Sequence, residues 1–536
     1  MTAPQRVSRR SFIAGSAGLL AAASWGPGRR WMASAGGAPL RQPNSRPDPN
    51  RPEGTPDPAM PIDHVVVVMM ENHSFDNYLG WLPKRGQPLA DGFRFDAAGK
   101  VLDTNPTKGG VIRAFRMPSE CQMESEPNQS WSPTHKAIAG GAMTGFIDAS
   151  GDVAMGYWDD RDLPFYYSLA KTFSLANRWF SSAPAQTYPN RRYLMAATSF
   201  GLVRTVTPGP NDAPPPNGTI FDRLNAHGIS WTNYFTDLPQ VAIMPTVPLN
   251  NPTHLASIAQ FYVDAAAGTL PAVSFVDPDF GLADVIGGLV PGSPIPSNIR
   301  AQGEDEENPQ NILFGQAFVA RVVNAVINSP SWPRTLLVWL YDEHGGYYDH
   351  VPPPAAIKPD NIPPQLGQGD VPGGFDLYGV RVPAVVVSPW ARPASVSGVV
   401  HDHTSVLAFI ERKWNLPAMT YRDANAASLD DFLDLSRPRL LEPPALAAAP
   451  DPLTAVPGCS TSDPGATVEA VGGAPTATTA PANGVGASGR SRGEIPATGG
   501  GGDGRIGFAA LAAAGAAAAI RRRATVRDDP VTVCED

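Results

Sequence analysis

Residues 62–80 read IDHVVVVMMENHSFDNYLG. The run 65–70 is apolar, β-branched over four residues and unbroken, which predicts a strand buried on both faces rather than one alternating between core and water. It stops abruptly at Glu71-Asn72. Open α/β sheets border their ligand crevices with the carboxyl ends of parallel strands, so a carboxylate and an amide at this end predict the floor of a site.

The same pattern recurs downstream. PAVSFV (271–276) leads to Asp277, and TLLVWLY (335–341) leads to Asp342-Glu343-His344. Strands are predicted over 64–70, 229–234, 272–276, 335–341 and 384–388, with helix-compatible stretches at 162–172, 311–327 and 402–414. Alternation of this kind implies an α/β fold with a mostly parallel central sheet, helices on both faces and long loops. Acids far apart in sequence then share one sheet edge. A lone acid after a strand is as often a helix cap, which holds for Asp277.

Glu71, Asn72, Asp342 and Glu343 form an oxygen-rich set of the kind a hard divalent cation prefers, with the metal's identity left open. Such an ion offsets the mutual repulsion of clustered acids. His344, His350 or His403 entering the shell shifts the preference toward zinc or iron. A further stretch, SSAPAQTYPNRRYL (181–194), reads as a loop feeding a helix, with Thr187 at the N-cap position. Capping alone explains a threonine there. The chemical reading makes Thr187 a nucleophile, because a helix N-terminus favours an anion and a metal lowers a hydroxyl pKa.

The body is bounded by export and attachment features. SRRSFI (8–13) opens an Ala/Gly/Leu run and resembles a twin-arginine signal over residues 1–35, followed by a linker at 36–60. The catalytic body is expected in 61–449. Residues 450–494 are rich in Ala, Thr, Pro and Gly and predict a disordered stalk. IPATG (495–499), an apolar segment and Arg521-Arg522-Arg523 resemble a sortase sorting signal over 495–523, with a tail at 524–536. Secretion, with attachment to a cell wall, is the expected location, and the export machinery and a sortase are the expected partners. The net charge of −9 gives no signature of nucleic-acid binding. Of three cysteines, Cys121 and Cys459 can pair in an oxidising compartment, though nothing fixes their geometry.

Four motifs in order, IDHVVVVMMENHSFDNYLG, TYPNRRYLMAAT, YDEHGGYYDHVPPP and HDHTSVLAFIERKWNL, resemble the bacterial phospholipase C/acid phosphatase phosphoesterases of the alkaline-phosphatase-like superfamily. The resemblance implies an alkaline-phosphatase-like fold. It implies that Glu71, Asn72, Asp342 and Glu343 hold a divalent metal and that Thr187 stands where a Ser or Thr attacks phosphorus. It also implies that His135 matches a histidine reaching the phosphate. Two positions depart from the family pattern: His73 replaces an Arg, and Asn308 replaces a His that precedes Pro-Pro. Asn308 can donate a hydrogen bond but cannot supply a proton.

The mechanism implied is hydrolysis of a phosphate ester through a phosphothreonine at Thr187. His135, His344 and His350 are the candidates for phosphate contact or general acid work, and His135 is the first choice. A phospholipid headgroup or a small monoester is the expected substrate, and a membrane surface is a candidate partner. A wall-displayed binding protein with this fold and little turnover is the alternative, motivated by Asn308. Sulfate ester hydrolysis ranks lower, since Thr187 occupies the position where sulfatases carry a convertible Cys or Ser.

Overall fold

The computed structural model describes residues 39–121, 127–206, 208–209, 213–281, 303–308, 310–455 and 468–469. The export signal, the sorting signal, the tail and Cys459 lie outside them. Eight strands build the central sheet: β1 (His64–Met70), β2 (Ser174–Ala176), β3 (Trp231–Phe235), β4 (Leu255–Ser257), β5 (Val273–Val276), β6 (Thr335–Tyr341), β7 (Ala384–Val387) and β8 (Val396–Ser397). Their order across the sheet is β8-β2-β7-β6-β1-β5-β3-β4. Every pairing is parallel except those of β7, which runs antiparallel to both neighbours.

The middle of the sheet decides where the chemistry falls. β1 pairs with β6 in a register that runs from His64 opposite Thr335 to Met70 opposite Tyr341. The ladder continues one step beyond the strands, with Asp342 N–H donating to the Met70 carbonyl at 3.1 Å. Glu71-Asn72 and Asp342-Glu343 therefore leave the sheet side by side. Both strands are buried along nearly their whole length, as their unbroken apolar sequences predicted.

Side-chain alternation along β6 assigns the two faces. Trp339 and Tyr341 point to one face, where Trp339 stacks on Tyr166 with ring centroids 4.3 Å apart. That face carries the helices Pro164–Thr172 and Ile312–Ile327, which pack on each other. Asp342 has the opposite parity and meets Arg191 from the helix Thr187–Ala196, which packs against the helix Thr404–Trp414.

The three strands of the central sheet that sequence patterning did not predict, β2, β4 and β8, have two or three residues each and are too short to display a period. Part of the expected stalk is ordered. Residues 452–455 form a helical turn, and Val468–Glu469 pairs antiparallel with Gly110–Arg113. The Glu469 carboxylate accepts from Arg113 Nε (2.8 Å) and Lys100 Nζ (3.2 Å), ion pairs that composition alone does not reveal. Cys121 is disulfide-bonded, with a partner outside the described residues. Among the described residues no helix is long and apolar enough to cross a membrane.

Replacing the buried Trp339 by Ala removes the stack that joins β6 to its covering helices. The expected loss of stability is about 3–5 kcal/mol, read from urea unfolding curves. A loss below about 1 kcal/mol would refute the central role given to this contact.

Candidate active site

The site residues all lie in the compact unit that begins at Arg41. At the end of β1, Asn72 takes a left-handed backbone (φ 69°), a conformation asparagine tolerates better than most residues. Its N–H donates to Asp342 Oδ1 at 3.2 Å. Opposite it, Gly345 has φ 62°, and a Cβ there would lie 1.9 Å from the Asn72 carbonyl oxygen. Only glycine lets the two strand-end loops close on each other in this way.

Arg191 stands between the two strand ends. Its Nη2 lies 3.3 Å from Glu71 Oε1 and its Nε 3.2 Å from Asp342 Oδ2, and further N–H groups reach the Met69 and Met70 carbonyls. Burial pushes the Glu71 carboxyl up; Arg191 opposes this, and Glu307, Asp305 and Asp342 add to it. Burial likewise takes Asp342 up to about 6 against Arg191, while Glu343 is raised by burial and by Asp342.

Thr187 is the first residue of its helix, and Gln186 occupies the N-cap. The cap reading of Thr187 thus does not apply, because the cap position is one residue earlier. Thr187 is 7% exposed and lies four residues before Arg191, on the same helix face. That spacing puts Thr187 on the helix face that carries Arg191.

The structure groups the acids differently from the expected set of four. Ligand oxygens of Glu71, Asp305 and Glu307 lie within 4.8 Å of one another, whereas no such group of Glu71, Asp342 and Glu343 forms, since Arg191 separates them. The segment carrying Asp305 and Glu307 is anchored on β1: Glu71 N–H donates to the Asp305 carbonyl (3.0 Å), and His73 Nε2 reaches the Glu306 carbonyl (3.2 Å). Burial takes the Glu306 carboxyl up to about 8, opposed by hydrogen bonds from Tyr341, Tyr166 and Tyr78 on the face away from Arg191.

These residues fit a divalent cation. Five carboxylates, Glu71, Asp305, Glu307, Asp342 and Glu343, face a single guanidinium, Arg191, at the strand ends. Two buried acceptors, Asn72 Oδ1 and Glu343 Oε1, have no hydrogen-bond partner. Unsatisfied buried oxygens beside an excess of negative charge are what an oxygen-seeking ion compensates.

The histidines fall in three places. His344 is buried next to the acids, with Nδ1 3.2 Å from Glu343 Oε2, an unpartnered Nε2, and burial taking its pKa down to about 3. His135 lies on the helix Trp131–Ile138, its Nδ1 2.8 Å from the Trp131 carbonyl, and burial lowers its pKa. That bond puts the hydrogen on Nδ1, so Nε2 is an acceptor. Trp131 shares a small apolar cluster with Ala183, Ala185 and Tyr193, which lie close to Thr187 in the chain, and the His135 ring meets Trp131 with centroids 4.4 Å apart.

His350 lies in a separate ion-pair network, 2.6 Å from Asp76 Oδ2 and 3.3 Å from Asp91 Oδ1, beside the Arg381–Asp349 pair. Burial alone would lower its pKa, but the two carboxylates outweigh it and hold it up to about 10. His403 donates to or accepts from no acid side chain; its Nε2 lies 2.7 Å from the Asp342 carbonyl and so steadies the β6 end. Asp277 is bound by Asn233 Nδ2 (2.6 Å) and by the Gln240 amides (2.7 and 2.5 Å), a clamp on the loop after β3 rather than a cation ligand.

The phosphoesterase family model matches residues 62–417. The chain belongs to the phosphoesterase family. It is a hydrolase of phosphate ester bonds. Non-specific phospholipase C6 of Arabidopsis thaliana is 31% identical to this phosphoesterase over 409 residues, 71% of this chain and 74% of that one. Phospholipase C A of Mycobacterium tuberculosis is 26% identical, covering 70% of this chain and 78% of its own. Among solved structures, a protein in the alkaline phosphatase superfamily from Vibrio parahaemolyticus covers 61% of this chain and 74% of its own, at 9% identity and a TM-score of 0.30.

Arg191, Asp305 and Glu307 were not among the residues singled out from sequence. Arg191 was within reach, since it follows Thr187 by four positions on a predicted helix. Asp305 and Glu307 sit in a long loop where no periodicity points inward.

Two outcomes test this arrangement. Arg191→Gln leaves Glu71 and Asp342 without their shared cation and should cost about 3–5 kcal/mol in chelator-treated protein, with part of the loss recovered on adding a divalent ion. Equal stability of the variant and wild type in chelator would contradict the role of Arg191. For His350, a folded pKa of about 10 lies above the ordinary value of about 6.5. Its stabilising contribution is fully present below about pH 6.5 and fades as the pH rises through about 10. His350→Gln should therefore flatten the fall in unfolding midpoint across that window; a profile parallel to wild type would refute the pairing.

Proposed function

We propose that this phosphoesterase acts as a metal-dependent phospholipase C, exported and held at the cell surface, that cleaves its ester through a phosphothreonine at Thr187. The observation that carries the reading is the Thr187–Arg191 helix face set against the buried strand-end carboxylates. The resemblance of the chain to enzymes named phospholipase C supports a phospholipid headgroup as substrate. The export and sorting motifs support the location.

Thr187 Oγ gives up its proton to water and attacks phosphorus, so a P–Oγ bond forms while the P–O bond to the departing alcohol breaks, and the alkoxide released takes a proton from water. Water then attacks the same phosphorus, the P–Oγ bond breaks, and the hydroxyl is restored. Glu71, Asp305 and Glu307, with Asn72, Asp342 and Glu343 beside them, would hold a divalent cation, which would supply Lewis acidity to lower the pKa of the Thr187 hydroxyl and offset charge on the transferring group. Arg191 contributes a fixed positive charge on the helix face it shares with Thr187 and opposes the rise that burial imposes on the Glu71 and Asp342 carboxyls. His344, beside the Glu343 carboxylate, has an unpartnered Nε2 that can accept a hydrogen bond from the attacking water.

Purified protein assayed with p-nitrophenylphosphorylcholine beside p-nitrophenyl phosphate tests this directly. Wild type should contain a divalent ion and prefer the choline diester, chelation should abolish turnover reversibly, and Thr187→Ala should lower kcat on the order of 10³-fold or more. Turnover retained by Thr187→Ala would dismiss the phosphothreonine. Binding of the esters without turnover under any divalent ion would instead favour the alternative of a display protein.

A further inference from the structure

Asn308 presents an unused hydrogen-bond donor beside the acids. The residue is 8% exposed, and its Nδ2 has no partner. Its other amide atom is fixed, because Tyr347 Oη donates to Asn308 Oδ1 at 3.2 Å. Tyr347 is itself tied to the site, its N–H donating to the His344 carbonyl at 3.0 Å. Between these anchors the amide is oriented, so Nδ2 is the atom left to meet a ligand. A buried amide N–H without an acceptor is costly unless a bound molecule completes it.

Its position relative to Thr187 follows from the two faces of the sheet. Arg191, and with it the Thr187 face of the helix, meets Asp342 on one side. Asn308 follows Glu306, whose carboxyl bonds Tyr166 on the face that Trp339 and Tyr341 share. The paired strand ends that carry Glu71 and Asp342 separate these two faces. In displacement at phosphorus the attacking and leaving oxygens stand in line on opposite sides of the transferred group. A nucleophile on one face sets the leaving oxygen on the other.

We propose that Asn308 donates its Nδ2–H to the oxygen of the departing alcohol and so determines which esters are cleaved. This rests on Thr187 being the nucleophile. A carboxamide holds that oxygen but has no proton to transfer, so the alcohol must leave as an anion or take its proton from water. Departure then depends on the leaving group's own acidity, and esters of acidic alcohols such as phenols are favoured over esters of simple alkanols.

The test compares a nitrophenyl ester and an alkyl ester of phosphorylcholine as substrates for the full chain as wild type, Asn308→Ala and Asn308→His. Wild type should favour the nitrophenyl ester strongly. Asn308→Ala should lower kcat/KM on both by about 10- to 100-fold, the effect of one hydrogen bond to a developing charge, with an unchanged unfolding midpoint. Asn308→His, which can supply a proton, should raise the alkyl ester relative to the nitrophenyl ester by about 10² or more. Turnover by wild type with the same ester ratio in Asn308→His, or full activity in Asn308→Ala, overturns the assignment of Asn308 alone. No turnover of either ester by wild type overturns the catalytic reading beneath it as well.

Discussion

Like-charge crowding at the ends of two neighbouring strands is the constraint under which this molecule is built. The β1–β6 register sets Glu71 and Asp342 side by side, and the loop 303–308 brings Asp305 and Glu307 to the same edge. One buried guanidinium answers them within the protein. Protonation relieves the rest only at a cost in pH range, and a divalent cation relieves it without one. Features around the site serve this arrangement: Gly345 for the close approach of the loops, Asn72 for the left-handed turn, and His403 for the Asp342 backbone.

The sheet also separates duties between its faces. The helix that begins at Thr187 approaches from one side with its arginine. The tyrosines around Glu306 close the other side and hold the acid-bearing loop against β1. An aromatic cluster is a stiff support for a loop without secondary structure of its own, and here it fixes the backbone of residues whose side chains face the acids.

The fold was legible where the sequence carries long buried strands. β1 and β6 announce themselves through unbroken apolar runs, and the acids that follow them mark the edge where the site sits. The short strands β2, β4 and β8 were not, because two or three residues display no period. Within the site, residues attached to regular elements could be found by counting, as Thr187 could and Arg191 should have been. Asp305 and Glu307 could not, since only tertiary packing turns a loop acid inward. Thr187 was misplaced by one residue relative to the cap, the ordinary uncertainty of a helix end. His350 shows the reverse limit: a histidine in a recognisable motif is held by Asp76 and Asp91, partners that lie far away in the chain.

The pairing of β1 with β6 joins the first long strand to one that follows it only after most of the intervening body has been made. Contacts of such high sequence separation form slowly, because loop closure precedes any compensating burial. The strand-end acids are therefore set side by side only when this long-range pairing forms. A chain cut anywhere between the two strands separates Glu71 from Asp342, so the paired strand ends belong to the completed molecule and to no fragment of it.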